Sequence, residues 1–147
     1  MSVLKIKLLR EGAVLPKRET VGSAGHDLRV CIEEDCVIPA GGSMRLPTGI
    51  AIEIESADYV AIIAARSSMA AKYGITMGNG IGVIDSDYRG EISILLRNTS
   101  DKDFVVHNGD RVAQLLLMPV ALPDIVEVEE LSQTERGEGG FGSTGRA

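Results

Sequence analysis

Asp85 and Asp87 lie in the segment Gly82-Val83-Ile84-Asp85-Ser86-Asp87-Tyr88-Arg89-Gly90, between two apolar, strand-like runs. Asp85 directly follows the first run, so a strand end can hold its carboxylate rigidly, and Tyr88 brings an aromatic plane into the same turn. A fixed carboxylate beside a ring suits a general base next to a bound sugar or base. The same composition also suits an ordinary hairpin loop, where Asp, Ser and Gly serve the backbone. A second cluster, Arg66-Ser67-Ser68, follows the apolar run Val60-Ala61-Ile62-Ile63-Ala64-Ala65. If a helix starts there, its free N–H groups, both hydroxyls and the guanidinium face one anion. Plain N-capping explains the serines but not the arginine before them. Asp27, in Ser23-Ala24-Gly25-His26-Asp27-Leu28, reads either as a turn residue or as a partner for Arg66.

A third cluster is Arg136-Gly137-Glu138-Gly139-Gly140-Phe141-Gly142-Ser143-Thr144-Gly145-Arg146-Ala147. Glycine lets successive backbone N–H groups converge on one anion. Ser143 and Thr144 add hydroxyl donors, Arg136 and Arg146 add positive charge, and Phe141 adds an aromatic face where no core can use it. Gly137 and Gly142 have the spacing of the nucleotide-binding glycine loop, but Ser143 stands in place of its lysine, and no strand leads in. That motif is therefore rejected, leaving two readings: an anion-gripping arm, or a solvated Gly/Ser tail.

The elements that must position these groups are strands. Apolar residues recur with little helical periodicity, and the segments 3–9, 27–32, 43–46, 50–55, 59–64, 80–84, 91–98, 104–106, 111–120 and 125–129 are expected as strands. In Ile50-Ala51-Ile52-Glu53-Ile54-Glu55 the isoleucines alternate with small or acidic residues, the pattern of an antiparallel sheet with one wet face. Turns fall at Pro39-Ala40-Gly41-Gly42, Pro47-Thr48-Gly49 and His107-Asn108-Gly109-Asp110. An all-β sandwich or jelly roll follows, with one short helix from Ser67 or Ser68 as N-cap through Lys72, closed by Gly74. The run from Val112 to Met118 breaks the alternation and needs cover on both faces, which in a small domain often comes from another subunit. Gln114, expected buried within that run, needs a backbone or ligand partner.

The 147 residues make one domain, with 44% hydrophobic content that is mostly aliphatic. We expect a β domain over 1–130 and a flexible glycine-rich arm over 131–147. The net charge of −6 argues against a nucleic-acid polymer or an anionic membrane as partner. No apolar run approaches membrane-spanning length, Met1-Ser2-Val3-Leu4-Lys5 does not open a signal peptide, and a cytoplasmic location is expected. Cys31 and Cys36 read as reduced, mostly buried small hydrophobes, and His26 and His107 as lone histidines without a chemical role.

Taken in order, five segments of the sequence resemble the motifs of the homotrimeric dUTPase family, the dUTP nucleotidohydrolases. They are Ser23-Ala24-Gly25-His26-Asp27-Leu28, then Arg66-Ser67-Ser68-Met69-Ala70, then Gly78-Asn79-Gly80-Ile81-Gly82 running on to Gly90, then Gly109-Asp110-Arg111-Val112-Ala113-Gln114-Leu115, and last Arg136 to Gly145. The resemblance implies a trimer of jelly rolls with a β-clip core, hydrolysing dUTP to dUMP and pyrophosphate, with each active site built from three subunits. It further implies a role in clearing dUTP from the nucleotide pool and supplying dUMP for thymidylate synthesis.

By that likeness Asp85 would be the general base for the water attacking the α-phosphorus. Arg66, Ser67, Ser68 and Gln114 would hold the phosphate chain, and Arg136, Gly142, Ser143 and Thr144 would close over it. Asn79 with the backbone of Gly82, Val83 and Ile84 would read the uracil edge, Tyr88 would lie against the deoxyribose, and Phe141 would stack on the base. Mg²⁺ would be chelated by the triphosphate with no direct protein ligand, and Asp27 would touch its waters. Two neighbouring readings compete: a dCTP deaminase of the same fold, disfavoured by Tyr88 and the aromatic arm, and a dUTP-sensing interaction protein, disfavoured by retention of Asp85. His26 and Ser68 depart from the residues frequent in the family, where a larger apolar side chain and glycine are usual.

Overall fold

Antiparallel pairing organises the chain throughout. The computed structural model describes residues 3–145, and its elements run β1 (Lys5–Leu8), β2 (His26–Arg29), β3 (Cys36–Ile38), β4 (Ser43–Pro47), β5 (Ile50–Glu53), β6 (Tyr59–Ala65), α1 (Ser67–Tyr73), β7 (Ile75–Met77), β8 (Gly82–Ile84), β9 (Ser93–Asn98), β10 (Phe104–Val106) and β11 (Arg111–Pro119). The largest sheet has the order β2-β11-β6-β8, a second has β4-β9-β7, and the pairs β1-β5 and β10-β3 complete the layers. Inward aliphatics from these sheets meet in one core. Leu28, Ile38, Ile50, Ile63, Ile94, Leu96 and Leu115 lie at its centre, each almost fully buried.

Local chemistry explains the junctions. The strand-to-helix break after β6 places Arg66 in extended backbone as the N-cap of α1, without a side-chain cap bond. The serine N-cap expected from sequence is thus replaced by Arg66, and Ser67 and Ser68 occupy the first helical positions with their side chains exposed. Gly74 closes α1 in the left-handed region at φ 66° while its N–H returns to the Ala70 carbonyl, as its position predicts. The turn at 107–110 forms around Gly109, with the Asp110 N–H on the His107 carbonyl at 3.1 Å.

Three expectations need correction. Residues 125–129 form no strand among the described residues; Ile125, Val126 and Val128 lie largely exposed, because no strand of the same chain runs beside them. Strands β3 and β7 were not anticipated, since three-residue segments carry too little periodicity to stand out. The Val112–Met118 run is a central strand in which Val112, Ala113 and Leu115 are fully buried, Leu116 and Leu117 half-buried and Met118 exposed within the single chain. Gln114 is correspondingly half-buried rather than buried.

Candidate active site

Where β2, β11 and the β6–α1 junction meet, Asp27, Arg66, Ser67, Ser68 and Gln114 line a cavity of about 340 Å³ together with Glu19, Ser23 and Gly25. Pairing sets this convergence: Gln114 of β11 is in register with Asp27 of β2 on one side and with Ala64 of β6 on the other. The Gln114 amide donates to the Ala65 carbonyl at 3.0 Å, which supplies the backbone partner its position requires. Gly25 is required there by close approach, because a Cβ at that position would sit 2.2 Å from the Gln114 side-chain oxygen.

Charges alternate behind the cavity. Asp27 Oδ1 pairs with Arg66 Nε at 3.1 Å, and Asp27 Oδ2 pairs with Arg111 Nη1, also at 3.1 Å. Arg111 Nη1 also meets Glu19 Oε1 at 2.9 Å, while Arg66 Nη1 donates to the Arg111 carbonyl at 3.1 Å. Arg66 is therefore held by Nε and Nη1, and among the described residues Nη2 is an uncommitted donor. Of the two sequence readings of Asp27, the partner of Arg66 is the one found. Glu19 and Arg111 were not singled out from sequence; Arg111 could have been noticed as a charge opening an apolar strand, whereas nothing local marks Glu19.

A separate face carries the Asp85 group. Asp85 follows β8 as expected, and its carbonyl accepts the Tyr88 N–H at 3.1 Å, closing the turn. The Tyr88 hydroxyl donates to the Glu91 carbonyl at 3.0 Å, with the ring laid against Gly90, where a Cβ would fall 2.3 Å from that hydroxyl. The Glu91 carboxylate is in turn held by Arg10 and by the Gly49 N–H, and these bonds, led by Arg10, keep its carboxyl below the usual glutamate value. Asn79, Val83, Asp85 and Tyr88 are exposed, and Gly82 and Ile84 are partly so.

The two faces do not meet in one chain. Ile84 pairs with Ala61, so Asp85 stands next to Val60 at the start of β6, whereas Arg66 follows its far end. Six residues of strand at about 3.3 Å each put the two backbones about 20 Å apart. The third cluster is remote as well: Arg136, Phe141, Gly142, Ser143 and Thr144 lie in an exposed segment of short turns, with Phe141 fully exposed and Arg136 Nε bonded to the Gly139 carbonyl at 2.8 Å. Arg146 falls outside the described residues.

Elsewhere, the His26 Nδ1 is buried with no hydrogen-bond partner among the described residues, beside an apolar cavity lined by Leu4, Ile6, Leu15 and Leu115. Exposed His107 pairs with Asp35 at 2.7 Å. Among the described residues no three His, Cys, Asp or Glu side chains gather as a metal site, and no helix is long and apolar enough to cross a membrane.

The chain is an antiparallel β domain with an arginine- and hydroxyl-lined cavity at a strand-to-helix junction. Residues 11–145 match the dUTPase family profile. The deoxyuridine 5′-triphosphate nucleotidohydrolase of Desulfitobacterium hafniense is 42% identical, covering 99% of each chain. The enzyme of that name from Paramecium bursaria Chlorella virus 1 is 48% identical, again covering 99% of each. The Staphylococcus bacteriophage 80alpha dUTPase, solved with dUpNHpp, superposes with a TM-score of 0.90 at 28% identity, covering 99% of this chain and 100% of its own. The chain belongs to the dUTPase family. Its all-β architecture with one short helix is the jelly-roll β-clip of that family.

Proposed function

We propose that this protein hydrolyses dUTP to dUMP and pyrophosphate, in an assembly that brings the Asp85 face of one chain to the Arg66 cavity of another. The observation that carries this reading is the separation of about 20 Å along β6 between two groups that the chemistry needs on one nucleotide. A homotrimer with shared sites supplies the missing proximity, and the exposed apolar residues Leu122, Ile125, Val126 and Leu131 provide surface for such an assembly.

In the assembled site Asp85 takes the proton of the water that attacks the α-phosphorus. Arg66 Nη2, the Ser67 and Ser68 hydroxyls and Gln114 hold the phosphate chain. Asn79 and the backbone of Gly82, Val83 and Ile84 read the uracil edge, and Tyr88 packs against the sugar. A buried mismatch with the amino group of cytosine costs on the order of 10⁴-fold in discrimination. Residues 131–147 act as a closing arm on the domain 1–130: Phe141 stacks on the base while Arg136, Gly142, Ser143 and Thr144 cover the phosphates and exclude water. The oxygen donors at the cavity, Glu19 and Asp27, are engaged by guanidinium groups, a set that fits a hard ion carried mainly by triphosphate and water rather than by a protein cage. Mg²⁺ bound in this way would neutralise charge on the triphosphate. Asp27 would touch the waters of that ion.

The free thiols of Cys31 and Cys36 support a reducing, cytoplasmic compartment, and the net charge of −6 supports a small nucleotide rather than a nucleic acid or membrane as partner. Clearance of dUTP and supply of dUMP for thymidylate synthesis follow from the reaction. The test is incubation with Mg²⁺ and, separately, dUTP, dCTP, dTTP and UTP, following pyrophosphate and ammonia. Pyrophosphate from dUTP alone is expected; ammonia from dCTP, or tight dUTP binding without turnover, would overturn the reading.

A further inference from the structure

The cavity that receives a polyanion carries no net positive charge of its own. Its two carboxylates, Glu19 and Asp27, are matched by the two guanidinium groups of Arg66 and Arg111, inside a chain of net charge −6. Asp27 has a positioning task, since both of its oxygens orient arginines and its side chain is only 13% exposed. Glu19 differs. It lies on the segment before β2, its side chain is 56% exposed, and only Oε1 is engaged, at 2.9 Å from an Arg111 nitrogen that Asp27 already holds. Arg111 therefore does not need Glu19 for its own placement, and the second carboxylate leaves a negative group on the wall of a phosphate cavity.

We infer that Glu19 is a specificity-determining residue that makes the site select the magnesium complex of the nucleotide over the bare triphosphate. This inference rests on the dUTP reading above. A carboxylate on the wall repels each negative charge of the incoming ligand, and a divalent cation removes two of those charges. In place of an excess of arginines that would grip any polyanion, the cavity wall together with Arg111 behind it carries no net charge, which lets the ligand's own counter-ion decide affinity. Glu19 thereby disfavours inorganic polyphosphates and metal-free nucleotides.

Each ligand charge facing an exposed carboxylate is worth about a factor of two, so removing Glu19's charge alters the preference between the two forms by about fourfold. The test is calorimetric binding of dUpNHpp to the full-length protein at low ionic strength, once with Mg²⁺ and once with EDTA. Glu19→Gln keeps an oxygen for Arg111 and is expected to tighten metal-free binding more than magnesium-loaded binding, lowering the ratio of the two Kd values about fourfold. Glu19→Asp, which retains the charge, is expected to keep the wild-type ratio. A ratio unchanged in Glu19→Gln overturns the inference, as does equal weakening of both forms, the signature of a residue that only tethers its loop. Failure of the wild-type protein to bind dUpNHpp in either condition overturns the dUTP reading itself, and so separates the two failures.

Discussion

Gly25→Ala tests whether the cavity depends on close approach between β2's leading turn and Gln114. The new Cβ would lie 2.2 Å from Gln114 Oε1, 3.0 Å from its Cδ and 3.1 Å from its Cβ, whereas ordinary contact begins at 3.4 Å. The amide must retreat by about 1.2 Å, the difference between the first and last of these distances, and its 3.0 Å bond to the Ala65 carbonyl cannot survive that shift. Losing one such bond costs about 1 kcal/mol, and the remaining crowding adds about 1 kcal/mol. A loss of about 2 kcal/mol lowers Tm by about 6 °C for a chain of this size. If the displaced amide is the phosphate donor of the proposed site, KM for dUTP should rise about tenfold. Urea unfolding and pyrophosphate release measure the two effects. Two of the three close atoms, Oε1 and Cδ, are absent from Gln114→Ala, which keeps only the Cβ at 3.1 Å, so in that background the added methyl should cost less than about 1 kcal/mol. Simple additivity of the two substitutions in both assays would refute the packing argument.

Asp85→Asn should lower kcat by about 10²–10⁴-fold while leaving dUpNHpp binding largely intact; wild-type turnover would remove Asp85 as the base. Truncation after Glu135 should leave the melting curve unchanged, since the arm is exposed, but lower kcat/KM by at least about a hundredfold; a fully active truncate would sink the closing-arm reading. The Glu91 carboxyl is depressed chiefly by its bond from Arg10, so its stabilising contribution is complete above the ordinary glutamate value of 4.5 and is lost as pH falls through the lower folded value. Below about pH 4.5 the wild type should therefore lose Tm more steeply than Glu91→Gln, with thermal melts from pH 7 to 3 as the check.

Strand content was legible wherever a segment carried its own alternation, as in Ile50–Glu53, and the helix stop at Gly74 was legible because only a left-handed residue fits there. The segment 125–129 shows the limit: its alternation marks a surface that wants a partner, but no neighbour within the chain supplies one. Short strands β3 and β7 owe their existence to β10 and β9, so the signal lies in the partner and not in Cys36–Ile38 or Ile75–Met77. In the site, Arg66 and Gln114 could be flagged from their positions beside or within apolar runs. The Glu19–Arg111–Asp27 chain could not, because residues 8 and 84 positions from Asp27 meet only after β2 and β11 have paired.

The span of β6 has a consequence for how the protein is inherited and diluted. In the assembly proposed above, a chain with its base and phosphate grip at opposite ends of one strand would lend each half to a different site, so inactive chains defective in opposite halves would rescue one another when mixed. Joined with the assembly proposed above, an Asp85→Asn chain and an Arg66→Ala chain regain some competent sites together that neither has alone. In that proposed assembly a newly made chain would have no activity until it met its fellows, and dilution below the assembly threshold would silence every site without unfolding a single domain.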